Sequence, residues 1–315
     1  MIKYIFTRIV AMVLTLFLIV TISFFCMRTM PGNLYNDPMI KPEIRAAINE
    51  KYHLNKPVYV QYFYFIKGLV VDGDWGTSIK IQPGVPAFQI LRTRIPISMW
   101  LNLVSLVISI PIGITLGAVA ALKRNKASDD IISLLVIVGI SIPAFVFASL
   151  LQYFLAYKLG WFPIIYKPSN VGLDYWMAMA LPILALSLGP IATITRYLRG
   201  ELSETLSAEF MLLTRTKGLT HRQAILRHAF RNSCVPLIDL FVSLFVGILG
   251  GSMVIENIFA IPGVGDIMVD AINALDHPLA IAVLIFYSAV SLMALLLIDL
   301  LYGIVDPRIR IGAKR

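Results

Sequence analysis

Charged residues are scarce in this chain, and their scarcity excludes most soluble folds. Only 14% of the 315 residues are Asp, Glu, Lys or Arg, whereas 58% are hydrophobic. A soluble domain carries about 25% charged residues, because its surface must stay polar in water. The excess apolar surface must therefore face lipid, and we expect a membrane protein.

Cysteine is also rare, and the sequence has no residue pattern typical of an active site. Cys26 and Cys234 are the two cysteines, and both lie in or beside apolar segments, so we expect neither a disulfide framework nor a metal site. The chain has no G-x-x-x-x-G-K-[ST] phosphate cradle and no grouping of nucleophile, base and orienting residue. We therefore predict that it is not an enzyme and holds no cofactor and no metal.

The positive net charge does not indicate nucleic-acid binding. The formal charge is +9, but the basic residues sit at the ends of apolar runs and form no stripe with interleaved aromatics. This distribution is typical of membrane proteins, whose cytoplasmic loops are rich in Lys and Arg.

Six apolar segments are long enough to cross a bilayer, which requires roughly 20 apolar residues each. Pro143 and other prolines within them are explained by ordinary helix packing or, alternatively, by bending at a gate. Asp299 is a buried charge that should face protein, not lipid. We read the first segment as an uncleaved span, because no small-x-small site follows it. The chain is thus predicted to be one all-α transmembrane domain over residues 1–315, with spans at about 9–27, 97–122, 131–157, 175–198, 235–255 and 279–305.

The distribution of basic residues predicts the orientation. Lys and Arg cluster after the second and fourth spans and at the C-terminus, whereas none lies between Glu256 and Asp306. By the positive-inside rule, both termini are cytoplasmic. Residues 28–96, which we call the cap segment, then lie outside. Its amphipathic stretches at 43–54 and 58–71, followed by turn residues, predict a small helical cap.

The segment between the fourth and fifth spans is too polar to cross a membrane and too regular for a linker. We call residues 207–232 the polar hairpin. Ser207 is predicted to cap a first helix, and Gly218 to end it in the left-handed conformation. Thr220 and Gln223 fit a capping box that starts a second helix. The pattern predicts a helix, a glycine turn and a helix, held against the membrane between two spans.

The polar hairpin resembles the coupling loop of permease subunits of binding-protein-dependent ABC importers, in its oligopeptide and dipeptide version. The family pattern is close to D-Y-x-x-T-A-R-A-K-G-L, followed by L-R-H-A-x-R-N and a proline. The departures, Leu213, Thr214 and Thr216, are small and compatible with a helix. The positions that match or nearly match are Glu209, Phe210, Arg215, Lys217, Gly218, Leu219, Leu226, Arg227, His228, Ala229, Arg231, Asn232 and Pro236.

Further motifs of this family occur in order along the chain. They resemble R-x-x-P-G-D-P after the first span, P-x-x-x-Q-Y and G-D-x-G-x-S in the cap segment, and L-G-W-x-P after the third span. E-x-x-F-x-x-P-G-x-G follows the fifth span, and D-L-L-Y-x-x-x-D-P-R closes the chain. The matching residues include Arg28, Pro31, Gly32, Pro57, Gln61, Tyr62, Gly73, Asp74, Trp75, Gly76, Ser78, Trp161, Pro163, Glu256, Phe259, Pro262, Gly263, Gly265, Asp299, Asp306, Pro307 and Arg308.

The resemblance implies a set of partners in a bacterial or archaeal plasma membrane. These are a second, homologous permease forming a heterodimer, two ATP-binding subunits that hold ATP and Mg, and an extracytoplasmic substrate-binding protein. The residues implied to couple to the ATP-binding subunit are Glu209, Phe210, Arg215, Lys217, Gly218, Leu219, Arg227, His228, Arg231 and Asn232. The candidates for contact with the binding protein are Asp74, Trp75, Trp161, Pro262 and Gly263.

Short peptides are the cargo that the resemblance implies, while uptake of nickel or glutathione on the same architecture remains open. The spans do not decide between them, because the separate binding protein largely selects the cargo. A secondary transporter is the rival from another class. It requires ionisable relay residues in its spans and internal repeats, and neither is evident.

Overall fold

In a computed structural model, the chain folds almost entirely into helices. The structure describes residues 2–29 and 42–305. Apart from an isolated β-bridge between Thr77 and Pro86, these residues form helices, turns and loops. The prediction of an all-α protein is confirmed.

Thirteen α-helices follow one another in the described residues, and three of them continue into π-helical turns. The π-helical turns are Gly68–Asp72 after α3, Gln152–Lys158 after α6 and Ile225–Ala229 after α9. The helices are α1 (Ile2–Thr29), α2 (Pro42–Lys51), α3 (Val58–Lys67), α4 (Ala87–Leu122), α5 (Ala127–Ser141), α6 (Ala144–Leu151), α7 (Leu173–Ser207), α8 (Glu209–Thr216), α9 (His221–Ala224), α10 (Phe230–Cys234), α11 (Leu237–Ile258), α12 (Val264–Asn273) and α13 (His277–Val305).

Four of these helices, α1, α4, α7 and α13, are long and apolar enough to cross a membrane. Two further stretches of the described chain qualify only as bent pairs. The pair of α5 and α6 is bent by 100°, and the helix 221–234 meets the first part of α11 at 55°. By length and composition, the described residues therefore contain four candidate membrane spans, or up to six if each bent pair is one span.

The segment 131–157, predicted as one span, is divided at a proline. Ile142 is extended, with φ −86° and ψ 118°, and Pro143 precedes the first residue of α6. Proline has no N–H for the helical ladder, and it disfavours the helical conformation of the residue before it. The sequence left open whether Pro143 reflects packing or a bend, and the structure has a bend.

The described residues form two compact units. The first comprises the described parts of 1–97 and 262–315, and the second comprises 98–261. In the first unit, α1 packs on α13, and Phe65 and Trp75 of the cap segment pack against Val20 and Ile281 at this junction. The two predicted cap helices are confirmed as α2 and α3.

A buried carboxylate also holds the cap segment in the first unit. Asp276 is fully buried just before α13. It accepts hydrogen bonds from the Ser78 hydroxyl (2.5 Å) and from the backbone N–H groups of Ile79 (3.1 Å), Lys80 (3.0 Å) and Ile81 (3.1 Å). Such a carboxylate is stabilised because four donors replace the water it has lost.

In the second unit, α7 packs against α5, α6 and α11. Glycines allow close approach on two sides of it. A Cβ on Gly117 of α4 would lie 2.9 Å from the carbonyl oxygen of Thr195, and one on Gly139 of α5 would lie 3.1 Å from Cβ of Ala192. Larger residues at these positions would push the helices apart.

Candidate functional site

The polar hairpin begins one residue later than the sequence indicates. Helix α7 includes Ser207, whose hydroxyl donates to the carbonyl of Ser203 (3.0 Å), so the predicted cap at Ser207 is wrong. Leu202 and Leu206 of α7 pack against the hairpin, which favours continuation of α7 through Ser207, and the serine then bonds back along its own helix. Ala208 is extended, with ψ 147°, and α8 starts after it.

The turn between the hairpin helices is set by Gly218, which has φ +81°. The N–H of Leu219 donates to the carbonyl of Thr214 (3.2 Å), the long bond of the Schellman motif that ends many helices. A Cβ on Gly218 would meet no atom within 4 Å. Glycine is therefore favoured by the backbone conformation and not by lack of space, and the predicted left-handed stop is confirmed.

The predicted capping box at the start of the second hairpin helix is also confirmed. The hydroxyl of Thr220 accepts from the N–H of Gln223 (3.3 Å), and the Gln223 side-chain oxygen accepts from the N–H of Thr220 (3.1 Å). These bonds satisfy two donors that a helix start would leave free. The second helix begins directly after the turn, so no flexible linker separates the two hairpin helices.

One side of the polar hairpin is buried against apolar helices of the second compact unit. Directly after the hairpin, the hydroxyl of Ser233 donates to that of Thr205 on α7 (3.0 Å). Burial of a methionine side chain alone contributes about 1.5–3 kcal/mol, so several such contacts hold the hairpin firmly. The buried cluster that the hairpin shares with α4, α7 and α11 consists of Ala121, Leu198, Leu202, Met211, Ala224, Ala229 and Leu237.

The opposite side of α8 is exposed and apolar. Leu212 and Leu213 are 65% and 55% exposed, and Phe210 is 36% exposed. Glu209 at the first turn and Lys217 after the last turn are exposed as well, each at the end where its charge complements the helix dipole. Exposed apolar residues bordered by charge mark interaction surfaces. We call Phe210, Leu212 and Leu213 the α8 face.

The other predicted hairpin residues differ in exposure. Arg227, Arg231 and Asn232 are exposed, whereas Leu219 and His228 are half-buried. The backbones of Arg215 and Asp299 are helical, but their side chains lie outside the described part of the structure, as do the motif residues at 31–32 and 306–308.

The five candidates for binding-protein contact fall in both units. Asp74 is exposed, and its carboxylate accepts from the N–H of Gly76 (2.8 Å), so it also shapes a turn. Trp75 is half-buried in the core of the cap segment. Pro262 is half-buried and Gly263 buried at the start of α12. Trp161, 60% exposed, belongs to the second unit.

An ion pair that the sequence did not predict joins α5 to α7. The guanidinium of Arg199 donates through Nε to Oδ1 of Asp129 (2.5 Å) and through Nη2 to Oδ2 (2.8 Å). Asp129 is 1% exposed, and it also accepts from the N–H of Asn125 (3.0 Å) and the hydroxyl of Ser133 (3.4 Å). Sequence reasoning missed the pair because 70 positions separate the two partners.

These features define a multi-pass membrane protein in which a surface hairpin is firmly joined to apolar helices. The family model described as binding-protein-dependent transport system inner membrane component matches residues 113–311, and the corresponding N-terminal model matches residues 1–88. The chain belongs to this family, as its motifs predict, and is a permease of a binding-protein-dependent ABC importer.

Curated relatives are similar over their whole length. A dipeptide transport system permease protein of Lactococcus lactis subsp. cremoris is 38% identical over 311 residues, covering 99% of this chain and 100% of the relative. Its counterpart in Bacillus subtilis is 36% identical over 315 residues and covers both chains fully. An oligopeptide transport system permease protein of Escherichia coli is 36% identical, covering 98% of this chain and 100% of the relative.

Proposed function

We propose that this chain forms the translocation path of an ATP-driven importer of dipeptides or oligopeptides and that its polar hairpin couples it to ATP-binding subunits. The proposal is supported chiefly by the pattern of burial in the hairpin. Met211 on one side of α8 is buried, while the α8 face on the other side is exposed. The transport systems for which the curated relatives are named support the peptide cargo.

The mechanism follows from what the chain lacks and from how the hairpin is attached. Without a phosphate cradle, this subunit needs energy from a partner that hydrolyses ATP. The α8 face inserts into a groove of that partner, and the flanking charges orient the contact. Because Leu198 and Leu202 of α7 share the buried cluster with the hairpin, displacement of the hairpin tilts α7 and the helices packed on it.

The remaining arrangement follows the family pattern. Six spans place both termini in the cytoplasm and the cap segment outside, in the plasma membrane of a bacterium or archaeon. A second, homologous permease completes the path as a heterodimer, and two ATP-binding subunits carry ATP and Mg, so this chain itself needs no cofactor. An extracytoplasmic binding protein delivers cargo to a surface that includes Asp74, Trp75, Trp161, Pro262 and Gly263.

Charged substitution of the α8 face tests the coupling. We expect Leu212→Asp and Leu213→Asp to abolish co-purification of the ATP-binding subunits, because a carboxylate would be desolvated in an apolar contact. Leu173→Asp is the matched control, since Leu173 is 74% exposed at the opposite end of α7. Retention of the ATP-binding subunits by both hairpin variants would refute docking at this face.

The cargo is tested separately with the complete complex in membrane vesicles. We expect ATP-dependent uptake of labelled dipeptides or pentapeptides and none of nickel or glutathione. Uptake of nickel or glutathione alone would replace the peptide assignment and leave the coupling proposal intact.

A further inference from the structure

The Arg199–Asp129 ion pair joins a buried carboxylate to a guanidinium whose side chain is 37% exposed. A buried carboxylate is costly unless its oxygens are fully paired, and here two guanidinium N–H groups, a backbone N–H and a hydroxyl surround it. A two-pronged contact of this kind defines orientation as well as distance. The pair therefore holds the start of α5 in one position relative to α7.

The same turn of α7 also carries the polar hairpin. Leu198, the neighbour of Arg199, is fully buried in the cluster that includes Met211 and Ala224 of the hairpin. One side of this turn thus contacts the hairpin, while the adjacent side chain reaches α5.

Further along α5, its contacts with α7 that the structure describes include apolar ones. Ile132 and Val136 of α5 pack with Ala120 of α4 and Ala192 of α7, and Gly139 lies against Ala192. Hydrophobic contact is non-directional, so these contacts favour proximity of the two helices more than one fixed orientation. The ion pair adds the directional contact that such an interface lacks.

We propose that the Arg199–Asp129 pair is a positioning element that makes α5 move with the polar hairpin as one body. The proposal rests on the proposed function, in which an ATP-binding subunit displaces the hairpin. The pair transmits that displacement from α7 to α5, up to the bend at Ile142 and Pro143. It contacts neither cargo nor nucleotide.

The first test measures coupling in the complete complex, reconstituted with the second permease, the ATP-binding subunits and the binding protein. Arg199→Gln and Asp129→Asn should leave subunit composition unchanged and lower the number of peptides moved per ATP hydrolysed by at least about fivefold, the lower end of typical couplings between sites. Arg196→Gln is the matched control, since Arg196 is exposed on the same helix as Arg199. This variant should retain the original ratio.

A double-mutant cycle tests whether the two residues act as a pair or independently. If the two residues act through each other, the double variant should lose no more coupling than either single variant, whereas independent roles would multiply the losses. Arg199→Lys should restore part of the coupling, because it keeps the charge but not the two-pronged geometry. The melting temperature of each purified variant distinguishes lost coupling from unfolding.

The second test needs no cargo. Spin labels at Leu134→Cys on α5 and Arg222→Cys on the hairpin, both exposed positions, are introduced after Cys26→Ser and Cys234→Ser. In the intact complex, the distance between labels should be the same without nucleotide and with ATP trapped. In Arg199→Gln it should shift or broaden on ATP binding.

Two results would overturn the inference. One is an unchanged transport-to-ATP ratio in Arg199→Gln, and the other is an ATP-induced change of the label distance that is as large with the pair as without it. Failure of the proposed function has a different signature: the unsubstituted chain would then not co-purify with ATP-binding subunits at all.

Discussion

Substitution of Gly218 isolates the effect of one backbone conformation on the polar hairpin. An L-residue in the left-handed region costs about 1–2 kcal/mol. Asparagine tolerates this region better, and a β-branched residue is a genuine outlier there. Since a Cβ at Gly218 would meet no atom within 4 Å, no steric clash adds to the cost. We expect the damage to increase in the order Gly218→Asn, Gly218→Ala, Gly218→Val.

The expected loss of hairpin stability is judged by comparing the strain at Gly218 with the energy gained from burying Met211. The strain of about 1–2 kcal/mol in Gly218→Ala is similar to the contribution of about 1.5–3 kcal/mol from burying Met211. The alanine variant should therefore remain folded but open its turn about 5–30 times more often. The valine variant should lose the turn and uncouple ATP hydrolysis from uptake.

Limited trypsin digestion measures this opening, because Lys217 and Arg222 flank the turn and are exposed. The cleavage rate reports the population of the open hairpin when reclosing is fast. Gly200→Ala is the matched control: Gly200 is a helical residue of α7 with no atom within 4 Å of its added Cβ, and alanine should stabilise it by about 0.5–1 kcal/mol. Equal cleavage rates in the three Gly218 variants would refute the conformational argument.

Three further substitutions test other contacts. Asp276→Ala leaves the buried Ser78 hydroxyl and three half-buried backbone N–H groups without their acceptor. It should cost more than about 3 kcal/mol of stability, seen as a lower melting temperature, whereas exposed Asp270→Ala should change the melting temperature little. Equal melting temperatures would contradict the tie between the cap segment and α13. Thr220→Ala removes the capping acceptor and should lower the stability of the hairpin by about 1 kcal/mol. Proteolysis of the hairpin should therefore accelerate. An unchanged cleavage rate would show that the capping box is dispensable. Lys217→Glu should release the ATP-binding subunits at lower salt, because charge steering is screened; binding with unaltered salt dependence would exclude this charge from docking.

Local chemistry explains why the hairpin turn was predictable from the sequence. The left-handed stop at Gly218 and the capping box of Thr220 and Gln223 depend on hydrogen bonds between residues at most five positions apart. Their hydrogen bonds form wherever the chain starts or ends a helix there. Ser207 shows the limit of this reasoning: it is as suitable for a cap as Thr220, but α7 continues through it because Leu202 and Leu206 pack against the hairpin.

The sequence by itself determined the all-α membrane class, the family, the cap helices and the helix–turn–helix of the hairpin, since each follows from composition or from short-range pattern. Only the tertiary structure decided the Arg199–Asp129 pair, the burial of Asp276, the helix α12 after the fifth predicted span, and the angle at Pro143. It also decided that Met211 is buried and Leu212 exposed, although both are apolar neighbours on α8. Each of these outcomes depends on which distant segment packs nearby, and one sequence records the residues but not their partners.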